Sequence, residues 1–232
     1  KEEKADLGIA LDGDADRVVF SDENGNLIDC DQILGVLALN LYNQKELKNN
    51  TVVGTIMTNI GFENFLNDNN INLKRVNVGD RYILDEMLNN NYNLGGEPSG
   101  HVIMSDHTKS GDGLLTAIKI ISLLKKSGKK ASEFLRPFSI TPYKIKNLKK
   151  INNYILETES VKNSLKKIQL DLKNKHNGRL LVRPSGTEPI VRILVECEYN
   201  DKIDQYISKV QDLLLKENFS EWINIKHQEF WL

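Results

Sequence analysis

The order of predicted strands and helices changes once along the chain, and this change limits the folds that the sequence can adopt. From residue 7 to residue 126, short apolar segments alternate with segments whose apolar residues recur at helical spacing. Strands that alternate with helices form parallel sheets that are covered on both faces. The segment 136–142, which contains two prolines, interrupts this alternation and predicts a domain boundary. The sequence therefore predicts an α/β fold followed by a smaller α+β domain.

The first part contains most of the predicted elements. Two apolar strands flank a polar turn between residues 6 and 21, and Asn24-Gly25 is a hairpin signal before a third short strand at Leu27-Ile28. A helix is predicted to begin with Asp31 as its N-cap. Further strands are predicted over 51–57, 73–78 and 101–104, and further helices over 61–68, 82–90 and 113–126, the last of which ends at Gly128.

The part after residue 142 has a different order. A strand near 143–148 and a helix near 158–174 precede two adjacent strands at 178–183 and 190–196, and a helix is predicted near 201–216. Adjacent strands flanked by helices predict an antiparallel sheet. The aromatic stretch 218–232 fits either a final strand or a tail.

The charge balance and the cysteines bear on the class of partner and on the cellular compartment. The 232 residues carry 31 basic and 32 acidic side chains, so the net charge of −1 gives no reason to expect nucleic acid or an anionic membrane. Cys30 and Cys197 have no metal-type spacing, which predicts two buried free thiols in a reducing cytoplasm. The chain opens with a charged stretch and no Met, and we expect it to be a fragment.

The first motif that carries chemistry is DGDADR, residues 12–17. Asp12, Asp14 and Asp16 stand at alternate positions in a tight loop, where three carboxylates can converge on one hard cation such as Mg²⁺. Arg17 is too close to be a ligand and is well placed to meet a phosphate that the metal also contacts.

Three alternatives to a magnesium loop stay open for this motif. It could be a solvated acidic turn, or a DxD nucleophile pair of the phosphatase type. It could also be an EF-hand, because Glu23 stands at position 12 of such a loop, although Arg17 occupies the position that requires Gly.

The second motif is GGEPSGH, residues 95–101. Glu97 and Ser99 could hydrogen-bond sugar hydroxyls, and His101 could transfer a proton or bind phosphate. An ordinary glycine-rich connection is the alternative, since the motif is not a dinucleotide-binding fingerprint.

The third motif is RPSGTEP, residues 183–189, with Arg192 beyond it. A turn through Ser185, Gly186 and Thr187 offers hydroxyls and backbone N–H groups to an anion, and Arg183 and Arg192 flank it. The lysine of a nucleotide P-loop is absent, and a plain turn with surface arginines is the alternative.

A weaker motif, VGDRY at residues 78–82, follows a predicted strand. Asp80 and Arg81 could bind substrate there. Alternatively Asp80 is only a helix N-cap and Arg81 a surface charge.

In this order and at these intervals, the three main motifs resemble the α-D-phosphohexomutase superfamily, over residues 5 to about 216. The resemblance implies the end of one α/β domain at residues 1–29, which carries the metal loop, a sugar-binding α/β domain with a mostly parallel sheet at 30–138, and a phosphate-binding α+β domain at 139–232. It implies Mg²⁺ on the three aspartates, sugar contacts from Glu97 and Ser99, and a grip on the distal phosphate by residues 183–189.

Within the superfamily, VGDRYI and SGDGLLTAI resemble the phosphoglucosamine mutase branch, in which Gln usually stands where this chain has Pro98. Phosphomannomutases and phosphoglucomutases are the nearest alternative. The implied reaction passes a phosphoryl group from a phosphoserine to glucosamine 6-phosphate. The resulting glucosamine 1,6-bisphosphate returns its other phosphate to the serine and leaves glucosamine 1-phosphate.

The loop that carries this phosphoserine has no counterpart in the sequence. The resemblance therefore implies that the chain alone is inactive and binds Mg²⁺ weakly, because the serine is also a metal ligand. It also implies a homodimer formed through the N-terminal half. A non-catalytic phosphosugar-binding module stays open as an alternative.

Overall fold

The computed structural model describes residues 1–185 and 190–229, with side chains through Phe219. The chain divides into two compact units, residues 1–140 and 141–232. A separation of residues 1–29 from 30–138 within the first unit stays a prediction.

The first unit begins with a small antiparallel sheet. Its strands β1 (Leu7–Leu11), β2 (Val18–Asp22) and β3 (Leu27–Ile28) lie in the order β1-β2-β3. The predicted turn at Asn24-Gly25 is confirmed, since Gly25 has a φ of 80° and the Asp22 carboxylate accepts hydrogen bonds from the backbone of the turn. The acidic loop lies in the other connection of this sheet, between β1 and β2, which are the two strands predicted on either side of it.

The rest of this unit is a second sheet with its helices. Its elements in chain order are α1 (Cys30–Asn43), β4 (Thr51–Thr55), α2 (Ile60–Asp68), β5 (Asn72–Val76), α3 (Asp80–Asn90), β6 (Leu94–Gly96), β7 (Val102–Met104), α4 (Gly113–Ser127) and α5 (Ala131–Phe134). The strand order is β5-β4-β6-β7. Strands β4, β5 and β6 are parallel, and β7 is antiparallel to β6, so the prediction of a mostly parallel sheet is confirmed.

Helices cover both faces of this sheet, as the alternating pattern predicts. Successive residues of a strand point to opposite faces. Val52 accordingly packs in the core cluster that contains Phe62 of α2 and residues of α1, whereas Val53 packs with Ile83 and Met87 of α3. The carboxyl ends of β4, β5 and β6 share one edge, and the loops after β5 and β6 carry two of the predicted motifs.

The predicted N-cap of α1 is wrong by two residues. Asp29, not Asp31, is the cap: its backbone is extended and its carboxylate accepts from the Asp31 N–H at 2.9 Å. Asp31 is buried, and its Oδ2 accepts from the Asn59 N–H at 2.7 Å. The Asp31 carboxylate therefore links the start of α1 to the loop before α2.

The second unit combines three strands with two long helices. Its elements are β8 (Tyr143–Lys149), α6 (Glu159–His176), β9 (Arg179–Pro184), β10 (Ile190–Glu196) and α7 (Asn200–Glu229). The strands form an antiparallel sheet in the order β8-β10-β9, as predicted. Val191, Ile193 and Val195 on β10 face a core that includes buried residues of α6 and α7.

The alternative of a final strand at 218–232 is wrong for the described residues, because α7 continues to Glu229.

Among the helices described, none has both the length and the apolar composition needed to cross a bilayer. Cys30 and Cys197 are both free thiols. Cys197 is buried as predicted, and Cys30 is half-buried.

The core of the first unit gives a direct stability test. Phe62 is fully buried and stacks on Phe138 with ring centroids 5.6 Å apart. We expect Phe62→Ala to lower the free energy of unfolding by about 3–5 kcal/mol through the cavity it leaves. The control Leu114→Ala, on the exposed side of α4, should change it by less than about 0.5 kcal/mol. Urea unfolding followed by circular dichroism measures both, and equal losses would contradict the assignment of this core.

Candidate active site

The acidic loop connects β1 to β2 and is closed by its own backbone. The Asp12 N–H donates to the Arg17 carbonyl at 3.4 Å, and the Arg17 N–H donates to Asp12 Oδ1 at 3.2 Å. Ala15 adopts a left-handed conformation with φ of 59°, which a small residue tolerates better than a bulky one. The strand pairing therefore fixes where the loop starts and where it ends.

The three aspartates converge. Asp12, Asp14 and Asp16 each offer one carboxylate oxygen, and these oxygens lie within 4.8 Å of one another. Among the residues that the structure describes, they form the one group of three metal-type side chains with this spacing. Three convergent carboxylates are a donor set suited to a hard divalent cation such as Mg²⁺.

The electrostatics of the loop also fit a cation. Burial, the contact with Asp12 and the charges of Asp12 and Asp14 raise the pKa of Asp16. For Asp12, burial raises the pKa, but the hydrogen bond from the Arg17 backbone N–H, the contact with Asp16 and the charge of Arg17 have a larger combined effect. The pKa of Asp12 is therefore lowered. Asp16 Oδ1 is buried without a hydrogen-bond partner in the described chain. A bound cation would satisfy this oxygen and relieve the repulsion.

The EF-hand alternative is wrong. Glu23, which would be the twelfth residue of such a loop, accepts hydrogen bonds from the backbone N–H and the hydroxyl of Ser132 at the start of α5. It therefore holds α5 and not a cation beside Asp12. Asp22 is also occupied, because its Oδ2 forms an ion pair with Nη1 of Arg136 at 2.6 Å.

Arg17 lies at the solvent side of the loop. Its Nε is 3.6 Å from an oxygen of Asp12 and 3.6 Å from an oxygen of Asp16, and its side chain is about half exposed. These contacts hold the guanidinium beside the acidic cluster without burying it. An anion held near the cluster could therefore reach it.

The second loop forms a tight turn after β6. The Glu97 N–H donates to the His101 carbonyl at 3.0 Å, and the Gly100 N–H donates back to the Glu97 carbonyl at 3.2 Å. Ser99 is exposed, and its hydroxyl donates to Glu97 Oε1 at 2.6 Å. The two predicted sugar-binding side chains therefore lie together at the tip of one turn.

The structure brings this turn onto the acidic loop. Arg17 and His101 form an antiparallel bridge, and the Val18 N–H donates to the Gly100 carbonyl at 3.1 Å. Gly100 has a φ of 100°, and a Cβ there would lie 2.5 Å from the Val18 carbonyl oxygen. The approach therefore requires glycine at this position. Two motifs that lie far apart in the sequence are thus brought together in the structure.

His101 lies inside this junction. Its side chain is buried, and its Nδ1 lies 3.1 Å from Asp16 Oδ2. Gly111 packs against the ring, and a Cβ at Gly111 would lie 2.3 Å from His101 Cε1. The Gly113 N–H donates to the Ala15 carbonyl at 2.8 Å, and Asp112 caps α4 through the Leu115 N–H.

The structural role of this 111–113 turn is not evident from the sequence. The helix start at Gly113 was predictable from the apolar spacing, and Asp112 is a favoured capping residue. Nothing local in the sequence indicates that the turn packs against His101 and the acidic loop.

Asp80 and Arg81 lie after β5, at the carboxyl edge of the parallel strands. The N-cap alternative for Asp80 is wrong: Gly79 is the cap, and Asp80 is the first helical residue, whose carboxylate accepts from the Arg81 N–H at 2.7 Å. Arg81 is exposed, with Nε 3.7 Å from Asp85. No hydrogen bond or ion pair joins either residue to the acidic loop or to the Glu97 turn in the described structure.

The arginines of the third motif face each other across two strands. Arg183 on β9 and Arg192 on β10 are register partners, and the Ser185 N–H donates to the Ile190 carbonyl at 2.8 Å. Burial and then the neighbouring Arg192 lower the pKa of Arg183. Opposed like charges destabilise a strand pair, so the position favours an anion. Gly186 and Thr187 lie outside the described residues.

Two family models match the chain. The α/β/α domain III of phosphoglucomutase/phosphomannomutase matches residues 29–139, and the C-terminal domain of the same proteins matches residues 143–213. Together these matches cover most of the sequence. The chain belongs to this family, the α-D-phosphohexomutases.

Curated relatives carry a more specific name. The chain is 44% identical over 216 residues to a protein of Caldanaerobacter subterraneus subsp. tengcongensis, and 46% identical over 206 residues to one of Ruminiclostridium cellulolyticum. Both are named phosphoglucosamine mutase. The alignments cover 92% and 88% of this chain but 48% and 45% of those proteins, so the chain spans about half the length of the relatives it matches.

Solved structures share the fold. Aspergillus fumigatus N-acetylphosphoglucosamine mutase superposes with a TM-score of 0.78 at 18% identity, over 90% of this chain and 48% of that one. A structure of the Aspergillus enzyme in complex with GlcNAc-6P and magnesium gives a TM-score of 0.72 at 17% identity, over the same shares.

The convergence of three carboxylates predicts localised cation binding. On titration of the chain with Mg²⁺, we expect two-dimensional NMR signals of residues 12–17 to shift, because three carboxylates share the charge of the ion. Asp14→Asn should weaken the affinity at least about tenfold by removing one anionic ligand. The control Asp68→Asn, at the exposed end of α2, should leave it unchanged. Shifts spread over all acidic surfaces would contradict a defined site.

Proposed function

We propose that this chain is the metal-, sugar- and phosphate-binding part of a phosphoglucosamine mutase, which interconverts glucosamine 6-phosphate and glucosamine 1-phosphate. One observation carries the proposal: the Val18–Gly100 junction, which joins a three-carboxylate loop to a turn that presents Glu97 and Ser99. Relatives that share 40–46% identity and carry this enzyme name support the branch. The same proposal assigns residues 1–29, 30–138 and 139–232 to three successive domains.

Asp12, Asp14 and Asp16 would hold the ion. Bound Mg²⁺ supplies charge neutralisation to a transferring phosphoryl group. Arg17, the proposed catalytic arginine, reaches the solvent side of this loop, where its guanidinium can hold phosphoryl oxygens as they acquire charge. The Aspergillus enzyme complex with magnesium supports this choice of ion.

Glu97 and Ser99 would bind sugar hydroxyls at the mouth of the same junction, with Asp80 and Arg81 as further contacts from the loop after β5. Arg183 and Arg192, with Ser185, Gly186 and Thr187, would hold the phosphate that does not react. A grip remote from the reacting bond positions the substrate and supplies binding energy.

The phosphoserine and glucosamine 1,6-bisphosphate, the intermediate and activator, are part of this proposal for the whole protein. So are its place in amino-sugar metabolism toward UDP-N-acetylglucosamine and peptidoglycan, a cytoplasmic location and a homodimer. The partner is a small phosphosugar, and neither nucleic acid nor membrane is required.

The opposed arginines allow a test of the phosphate grip. We expect Arg183→Gln to weaken binding of glucosamine 6-phosphate about tenfold or more, because a charge-assisted bond to phosphate is lost. Lys146→Gln is the matched control, since it removes the same charge from an exposed position whose register partner is Ile193. Isothermal titration calorimetry measures both, and equal weakening would indicate general charge attraction in place of a site.

Substrate profiling of the full-length enzyme separates the proposal from a phosphomannomutase or phosphoglucomutase. We expect glucosamine 6-phosphate to be preferred over mannose 6-phosphate and glucose 6-phosphate by well over about tenfold in kcat/KM, because a site built to bond one polar group rejects analogues that lack it. A preference for mannose or glucose phosphates would contradict the branch. The absence of turnover with all of them would favour a non-catalytic phosphosugar-binding module.

A further inference from the structure

His101 is held on several sides at the base of the metal loop. Its backbone forms the bridge to Arg17, and its buried ring lies between Asp16 and Gly111. Its Nε2 has no hydrogen-bond partner among the described residues and is itself buried. The ring therefore has one polar contact, and that contact is to a proposed metal ligand.

The two oxygens of Asp16 have different surroundings. Oδ2 lies 3.1 Å from His101 Nδ1, whereas Oδ1 has no hydrogen-bond partner in the described chain and lies 3.6 Å from Nε of Arg17. When an imidazole N–H donates a hydrogen bond to one oxygen of a carboxylate, it also fixes the direction in which the second oxygen points. In metal sites, such outer contacts to the ligands commonly contribute about 10–100-fold in metal affinity.

We propose that His101 is a positioning residue, whose Nδ1–H holds Asp16 so that Oδ1 points at the cation. This inference rests on the proposed function, because it takes Asp12, Asp14 and Asp16 as the magnesium ligands. It concerns only the shape of the metal loop, and the proton-transfer role predicted for His101 stays a separate proposal.

The turn at Gly111 also restricts the position of the His101 ring. A side chain there cannot be added without moving the ring, since the Cβ position lies within 2.6 Å of three ring atoms of His101. The adjacent Gly113 N–H holds the Ala15 carbonyl of the metal loop at 2.8 Å. One rigid turn at the start of α4 thus contacts both His101 and the loop that it positions.

Two variants of His101 separate positioning from proton transfer. The side-chain nitrogen of His101→Asn occupies the place of Nδ1 and keeps a donor for Asp16. The side-chain nitrogen of His101→Gln occupies the place of Nε2 and does not. Neither side chain titrates, so a proton-transfer role is removed equally from both.

The readout is Mg²⁺ affinity of the 232-residue chain, measured by NMR titration of residues 12–17. We expect His101→Asn to stay within about threefold of the unaltered chain, and His101→Gln to bind about tenfold more weakly. Equal affinities for all three would overturn the positioning role. If the unaltered chain showed no localised Mg²⁺ binding, the proposed metal site itself would fail, which is a distinguishable outcome.

Two further measurements keep the test independent of how well the His101 variants fold. Gly111→Ala should weaken Mg²⁺ binding about tenfold with His101 still present, while Ser110→Ala in the same turn should not. In the unaltered chain, nitrogen-15 NMR should show the His101 proton on Nδ1. A deprotonated Nδ1, or full Mg²⁺ affinity in Gly111→Ala, would overturn the proposal.

Discussion

The site depends on one close approach of two backbones, between the start of β2 and the turn after β6. The Val18 N–H donates a hydrogen bond to the Gly100 carbonyl at 3.1 Å, and a side chain at Gly100 would prevent this approach. Because this contact joins two separate sheets, it fixes the acidic loop against the Glu97 turn. It also places His101 against Asp16, a contact that neither sheet could form alone.

Like charges lie close together at two places in the described chain, negative at one and positive at the other. Three carboxylates converge in the first unit, and two arginines oppose each other on neighbouring strands of the second. Like charges directly opposite in a sheet cost stability, on the order of 0.2–1 kcal/mol. Proteins retain such local conflicts mainly at functional sites. A cation at one place and a phosphate at the other, the two ligands of the proposed function, would relieve both repulsions.

The sequence predicts the strands, the helices and the two sheet types, because apolar periodicity records which faces are buried. It predicts less where the choice is local and degenerate: Asp29 and Asp31 are both capping residues, and only the backbone at Asp29 shows which one caps α1. The aromatic stretch 218–232 fits either a strand or a tail by composition, yet the helix that precedes it continues to Glu229. The contact of Gly111 with His101 is non-local, so no pattern within either segment indicates it.

The proposed divalent cation site consists of three aspartates, with Asp16 held by His101. Anomalous diffraction from crystals of the chain grown with Mn²⁺, a hard cation with similar ligand preference, tests it most directly. We expect a peak contacted by one oxygen each of Asp12, Asp14 and Asp16, with Nδ1 of His101 bonded to the second oxygen of Asp16. A peak bound at Asp22 and Glu23, or ligated by Asp14 alone with His101 turned away, would contradict it.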